Sequence, residues 1–141
     1  MSTVIKSELS KNNKYWVPKY RYFELKYFCL QYLSWKKSYL ALDSLSKRPY
    51  DLDKFKTNNI SDPTAKCAES REKFFKRIEI INAAINLTIE DNPFLKEYLF
   101  KAVTEGYSYN YLKTSMNIPC GKDMYYKYYR KFFWLLNKYR D

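Results

Sequence analysis

One apolar face that persists for about seven helical turns constrains the fold of this chain more than any other feature. The segment opens with Asp62 and Pro63, a capping residue followed by a proline at the first helical position. Its apolar residues then share one side of a helix: Cys67, Phe74, Ile78, Ile81 and Ile85. Because a helix of this length needs other helices to cover its apolar side, the sequence predicts an all-α protein.

Residues 20–33, before this long helix, also have helical periodicity. From Tyr20 the text YRYFELKYFCLQYL is apolar nearly all round, and its polar residues Arg21, Glu24 and Gln31 fall on one narrow stripe. This pattern predicts a mostly buried helix. Ser34 is then predicted to cap a second helix with one apolar face.

Start and stop signals follow one another in the C-terminal part. Asn92-Pro93 repeats the signal of a cap followed by proline, and Gly106 is placed to end the helix that it starts. Ser108 is predicted to cap a short helix that stops at 117–121, and a long final helix is predicted from about Lys122 to Tyr139.

These signals divide the chain into four predicted segments. They are a flexible N-terminal arm at 1–18, an N-terminal helical hairpin at 19–46, a linker at 47–61, and a region at 62–141 that holds the long central helix and a C-terminal helix-turn-helix. The predicted fold class is an all-α helical bundle with a C-terminal helix-turn-helix.

The charge distribution indicates the kind of partner. The chain has 26 Lys and Arg against 15 Asp and Glu, a formal charge of +11. Residues 1–60 carry 12 basic and 5 acidic residues, 61–105 carry 7 and 8, and 106–141 carry 7 and 2. The excess therefore lies in two blocks around a neutral middle, which favours binding to nucleic acid or another anionic surface over a charge that serves solubility alone.

Several chemistries lack their usual residues. The chain has no histidine and only two glycines, so histidine-based catalysis and glycine-rich phosphate loops are excluded. Cys29, Cys67 and Cys120 are far apart, and no metal site, cofactor or enzyme activity is expected. The unpaired cysteines and the lack of a long apolar run predict a cytoplasmic protein that does not enter a membrane.

The last helix carries the functional hypothesis. On a helical wheel its predicted core side holds Tyr125, Tyr128, Tyr129, Phe132, Leu135, Leu136 and Tyr139. Its predicted outer side holds Lys127, Arg130, Lys131 and Lys138, with Asp123, Tyr126 and Trp134 nearby. With the short helix and turn before it, this arrangement is typical of a helix-turn-helix whose second helix enters the DNA major groove.

Specific contacts follow from this hypothesis. Base edges are read from the N-terminal half of such a helix, which holds Lys122, Asp123, Tyr126, Lys127 and Arg130. Lys113, Lys131 and Lys138 are better placed to hold phosphates. The same segment also fits an amphipathic helix with a solvated charged face, a helix on a membrane surface, or stacking on single-stranded nucleic acid.

Three stretches together resemble the phage late-gene transcriptional regulators of the RinA and ArpU type, which have a helix-turn-helix similar to sigma-factor region four. These are GYSYNYLKTSMNIPCGKDMYYKYYRKFFWLL, DPTAKCAESREKFFKRIEIINAAI, and YLSWKKSYLALDSL, in which Leu33 stands where the family has proline. The likeness covers most of residues 25–138. It implies a non-enzymatic protein of the bacterial cytoplasm that binds a promoter and contacts host RNA polymerase.

The chain departs from the family pattern at the turn, which has one residue more around 118–121. Such an insertion would rotate the last helix, place Met124 in the core and free Tyr125 and Tyr129.

Two other functions fit the composition. One is a phage protein that inhibits or adapts a host nucleic-acid machine, such as RNA polymerase or a guided nuclease, through Trp16, Trp35 or Trp134. Trp134 is also suited to packing on the N-terminal part or on a second subunit. The other is a small DNA-packaging subunit that forms a homo-oligomeric ring.

Overall fold

The computed structural model of this protein describes residues 13–46 and 63–140. Within these ranges the chain forms six α-helices and no strand. They are α1 (Lys19–Leu30), α2 (Tyr32–Ser46), α3 (Pro63–Thr88), α4 (Lys96–Glu105), α5 (Tyr109–Met116) and α6 (Lys122–Tyr139). A 3₁₀ turn, Pro93–Leu95, leads into α4. The all-α prediction is confirmed, whereas the C-terminal helix-turn-helix stays a prediction.

Most helix boundaries lie where the sequence placed them. The rod α3 begins at Pro63 and α6 runs from Lys122 to Tyr139, as predicted. The second helix begins at Tyr32, two residues before the predicted cap at Ser34. Asp62, the linker at 47–61 and residues 1–12 of the predicted arm lie outside the described residues.

Two of the predicted stop and start residues act through their local chemistry. Gly106 ends α4 in the left-handed conformation, at φ 76°, and its N–H donates to the carbonyl of Ala102 at 3.1 Å. The Ser108 hydroxyl accepts a hydrogen bond from the Tyr111 N–H at 3.2 Å and so caps α5. Both residues therefore fix the connection that sets the position of α5.

Asn92 behaves differently from the prediction. It precedes the 3₁₀ turn, but its side chain makes no capping hydrogen bond. Instead its Nδ2 donates to the Tyr128 hydroxyl at 2.6 Å, and that hydroxyl donates to Asp91 Oδ2 at 3.0 Å. The loop after α3 is thereby tied to α6 by side chains distant in sequence.

Helix contacts divide the described residues into two compact units. The main unit contains residues 13–31 and 80–140, and the hairpin unit contains 32–46 and 63–79. Because α1 belongs to the main unit and α2 to the hairpin unit, the predicted segment 19–46 does not coincide with either unit.

The core of the main unit is built from α1, the end of α3, α4, α5 and α6. Its largest fully buried side chains are Tyr22, Leu25, Cys29, Ile81, Ile85, Thr88, Leu112, Phe132, Phe133 and Leu136. The hydroxyl of Thr88 donates to the carbonyl of Ala84 at 2.6 Å, so this buried polar group is satisfied within its own helix.

Helix α1 is less enclosed than predicted. Its outer stripe includes Tyr20, which is 80% exposed, and Tyr27, which is 59% exposed. The inner side of α1 packs on α4 and α6. The prediction of a mostly buried helix therefore holds for the inner side of α1, while the tyrosines on its outer side tolerate water at the hydroxyl end.

The hairpin unit is an antiparallel pair formed by α2 and the first part of α3. The Arg71 guanidinium lies 3.2 Å from Asp43 Oδ1, and the Cys67 thiol lies 3.8 Å from the carbonyl of Leu42. The rings of Tyr39 and Phe75 lie 5.8 Å apart. These contacts hold the first part of α3 against α2.

Candidate nucleic-acid interface

The turn between α5 and α6 is fixed by contacts on both sides. Asn117 ends α5 in the left-handed conformation, at φ 54°. The N–H of the next residue, Ile118, donates to the carbonyl of Leu112 at 3.1 Å, and the Ile118 side chain is buried. The Tyr109 hydroxyl donates to the carbonyl of Cys120 at 2.9 Å. Helix α6 therefore starts from a turn that α5 positions.

The rotation of α6 matches the first prediction and excludes the alternative. Tyr125 and Tyr129 are buried, whereas Met124 is 45% exposed. The extra turn residue has therefore not rotated the helix to place Met124 in the core.

The predicted core side of α6 needs three corrections. The helix buries Tyr125, Tyr128, Tyr129, Phe132, Phe133 and Leu136. Phe133, which the sequence did not assign to the core, is fully buried because α1 packs beside it: the rings of Tyr22 and Phe133 lie 5.1 Å apart. Leu135 is only half-buried, and Tyr139 in the last turn is 47% exposed.

Five predicted contact residues form the basic face, a name used here for Lys113, Lys122, Lys127, Arg130 and Lys131. Lys113 on α5 and Lys122 and Lys127 on α6 are exposed, while Arg130 and Lys131 are half-buried. Among the residues that the structure describes, none of the five forms an ion pair. Their charges are therefore not neutralised within the described parts of the chain.

Asp123 is the one acidic residue of the sequence between 108 and 139, and it is exposed in the first turn of α6. A carboxylate at a helix N-terminus is stabilised by the helix dipole. The basic face therefore carries five cations against one anion.

Arg130 has an unusual environment. Its Nε is buried and has no hydrogen-bond partner among the described residues. A guanidinium N–H without a partner in a buried position costs free energy, and this cost is tolerated where the remaining N–H groups bind a ligand or water.

Lys138 is set apart from the basic face. Its ammonium lies 3.5 Å from the centre of the Trp134 ring, a cation–π contact, and the Trp134 ring lies 5.3 Å from that of Tyr15. Residues 13–18 therefore cover the C-terminal half of α6 near Trp134. This packing differs from the predicted flexible arm, because Val17 is buried and Tyr15 contacts Trp134.

None of the three tryptophans predicted to bind a partner is exposed. Trp16 is half-buried, and its backbone N–H donates to the carbonyl of Asn13 at 3.1 Å. Trp35 is buried, with the Arg77 guanidinium 5.3 Å from its ring centre. The exposed aromatic side chains of α1 are instead Tyr20 and Tyr27. Their spacing of seven residues on one side of a helix was the sequence signal that could have identified them.

Tyr126 lies at the border of the basic face. It is half-buried, and its ring lies 4.9 Å from that of Tyr125 and 6.4 Å from that of Tyr109. It thus lines a cleft between α1, the end of α4 and α6. The sequence assigned Tyr126 to DNA contact without predicting this cleft, because the cleft is made by residues distant in sequence.

Metal sites and membrane-spanning helices are absent from the described ranges. No group of three or more Cys, Asp or Glu side chains is arranged to hold a metal ion there. No helix in those ranges is long and apolar enough to cross a membrane. Burial raises the pKa of the Cys29 thiol far above its usual range, so this thiol stays protonated.

Comparison of the chain with family models, curated proteins and solved structures found no match. The resemblance to the RinA and ArpU regulators therefore remains an expectation from the sequence.

Proposed function

We propose that this chain is a sequence-specific double-stranded DNA-binding protein that inserts the N-terminal half of α6 into the major groove. We further propose, from the sequence resemblance, that it regulates transcription of phage late genes. The observation that carries the proposal is the basic face, five cations that lack an ion-pair partner among the described residues.

The dimensions of the basic face suit a DNA groove. Lys122 and Lys131 are nine residues apart on α6, which corresponds to about 14 Å along a helix axis. Nine residues also place the two side chains about half a turn apart around α6, so they would reach phosphates on the two sides of a groove that holds the helix. Lys113, on α5, would hold a further phosphate and fix the orientation of the protein.

Base reading is assigned to the residues between these cations. Tyr126 and Lys127 follow one another on α6, and Arg130 lies one turn later. An Arg side chain pairs with guanine by two hydrogen bonds, and an Asp such as Asp123 accepts from the amino group of cytosine. Because the Arg130 Nε is buried, the two terminal nitrogens of its guanidinium would bind the base or a phosphate.

Fluorescence anisotropy with a labelled random duplex tests the proposal. The variant Lys122→Gln/Lys131→Gln should bind roughly 50-fold more weakly at about 0.1 M salt, because each phosphate contact contributes roughly sevenfold to tenfold there. Lys96→Gln is the matched control, since Lys96 is exposed on α4 and lines a different groove. Equal affinity of all three proteins would refute the assignment of the basic face.

Sequence preference requires a second measurement. Selection from a random duplex library should enrich one motif, and the same selection with Arg130→Ala should give a relaxed motif at one or two positions. If the wild-type protein enriches no motif, specific reading is refuted while duplex binding stands.

A second candidate function rests on α1. Tyr20 and Tyr27 are exposed on one side of this helix, and exposed tyrosines often anchor protein interfaces. An adaptor for a host nucleic-acid machine would use this surface in place of the tryptophans. Absence of duplex binding at low salt, together with loss of polymerase capture in Tyr20→Ala/Tyr27→Ala, would favour this function over DNA binding.

A further inference from the structure

A cleft lined with tyrosines lies beside the basic face in the main unit. Its lining includes Tyr107, Tyr109, Tyr125, Tyr126, Tyr129 and Lys26. The cleft has a volume of about 230 Å³ and opens to solvent. Because α1, the end of α4, the start of α5 and α6 all contribute to it, the cleft is a product of the tertiary fold.

The tyrosines form a floor and a rim. Tyr109, Tyr125 and Tyr129 are buried, and Tyr107 and Tyr126 are half-buried. Neighbouring ring centres are close, at 5.3 Å for Tyr109 and Tyr125 and 6.2 Å for Tyr126 and Tyr129. Rings at such separations pack on one another. The half-buried rings of Tyr107 and Tyr126 keep part of their surface on the cleft, where a flat ligand ring would pack.

Most of the floor hydroxyls are already used. The Tyr109 hydroxyl donates to the carbonyl of Cys120 at 2.9 Å, and the hydroxyls of Tyr129 and Tyr22 lie 2.8 Å apart. At the rim the Tyr107 hydroxyl donates to Glu105 Oε1 at 3.2 Å. Recognition in this cleft would therefore depend on ring packing more than on hydrogen bonds from tyrosine.

The charge of the cleft selects between two kinds of ligand that aromatic rings bind, a cation and an aromatic anion. Lys26 is the charged side chain among its lining residues, and it forms no ion pair with another described residue. Aromatic cages also bind quaternary ammonium groups, but such a cation would be repelled by Lys26 and by a chain of net charge +11. A ligand with an aromatic ring and a negative group would pack on the tyrosine rings and pair with the Lys26 ammonium.

We propose that this cleft binds a nucleotide, with the base against the tyrosine rings and the phosphate on Lys26. The nucleotide could come from a free nucleoside monophosphate or from an unpaired position in a DNA strand. Tyr126 is shared with the residues assigned to the groove, whereas Lys26 and the other tyrosines lie outside them. Lys26→Ala therefore tests the cleft without changing the basic face.

Isothermal titration calorimetry tests the proposal with adenosine 5′-monophosphate, adenosine, inorganic phosphate, choline and a six-nucleotide oligodeoxyadenylate as separate ligands. We expect the monophosphate or the oligonucleotide to bind, adenosine to bind at least tenfold more weakly, and inorganic phosphate and choline not to bind. Binding of the monophosphate identifies a free nucleotide as a source, and binding of the oligonucleotide alone identifies a strand.

Variants locate the site. Tyr126→Ala should weaken nucleotide binding by about 5-fold to 150-fold, the range measured for loss of one stacking contact, and Tyr126→Phe should keep most of it. Lys26→Ala should remove the advantage of the monophosphate over adenosine. Tyr20→Ala, on the exposed side of α1, and Lys96→Gln, on α4, should leave nucleotide binding unchanged.

Three results would overturn the proposal: no nucleotide binding at 5 mM ligand, stronger binding of choline than of the monophosphate, or equal losses in Tyr126→Ala and Tyr20→Ala. Duplex anisotropy on the same preparations separates this failure from a failure of the proposed function. If the protein binds the duplex but binds no nucleotide, the proposal for the cleft is refuted and the assignment of the basic face is not.

Discussion

The hydrogen bond between Tyr22 and Tyr129 provides a sharp test of how α6 is held. The two hydroxyl oxygens lie 2.8 Å apart, both residues are buried, and the bond joins α1 to α6 across 107 residues of sequence. In the variant Tyr22→Phe the Tyr129 hydroxyl keeps its buried position and loses this bond. An unpaired buried hydroxyl costs about 1–3 kcal/mol, so the free energy of unfolding should fall by that amount.

The double variant Tyr22→Phe/Tyr129→Phe should be less destabilised than the sum of the two single variants. With both hydroxyls removed, neither is left buried without the other, and two apolar rings of the same shape pack in their place. We therefore expect a coupling free energy of about 1 kcal/mol or more between the two positions.

Urea unfolding followed by far-ultraviolet circular dichroism measures these differences. With a typical slope of about 2 kcal/mol per molar urea, a loss of 2 kcal/mol moves the midpoint by about 1 M. Tyr139→Phe is the matched control, because Tyr139 is 47% exposed and its hydroxyl should contribute less than about 0.5 kcal/mol. Additive single variants, within about 0.3 kcal/mol, would refute the coupling.

Two further predictions concern stability. Gly106→Ala should lower the free energy of unfolding by about 1 kcal/mol or more, because φ is 76° at this residue. Gly121→Ala should be nearly neutral, since no heavy atom lies within 4 Å of the added Cβ. Thermal melts of the two variants test this difference. Burial raises the pKa of Tyr125 and Tyr129, so both hydroxyls stay protonated in the folded chain while they ionise in the unfolded chain above about pH 10. The unfolded state then binds fewer protons, and urea titrations at pH 8, 10 and 11 should show stability falling as pH rises; constant stability would contradict the burial of these hydroxyls.

Local signals in the sequence were enough to predict most of the helices. Pro63, Gly106 and Ser108 mark boundaries through their own backbone or side-chain chemistry, so no knowledge of distant residues is needed to interpret them. The rotation of α6 was also predictable, because aromatic residues with a period near 3.6 define its buried side.

Contacts between distant residues account for what the sequence did not predict. The Asn92 side chain binds the Tyr128 hydroxyl in place of a backbone N–H, and Trp134 is covered by Tyr15. Each pairing joins residues that no periodicity relates. The same reason applies to the tyrosine cleft, since the residues that line it come from four separate parts of the chain.

The dependence of duplex affinity on salt tests the central claim most directly. If Lys113, Lys122 and Lys131 each bind a phosphate, the logarithm of the association constant should fall against the logarithm of salt concentration with a slope of about −2.7. Affinity should then decrease about 40-fold between 50 and 200 mM salt, and Lys122→Gln/Lys131→Gln should have a slope near −0.9. A wild-type slope between 0 and −1, or an unchanged slope in the double variant, would contradict the proposal that this face of α6 binds DNA.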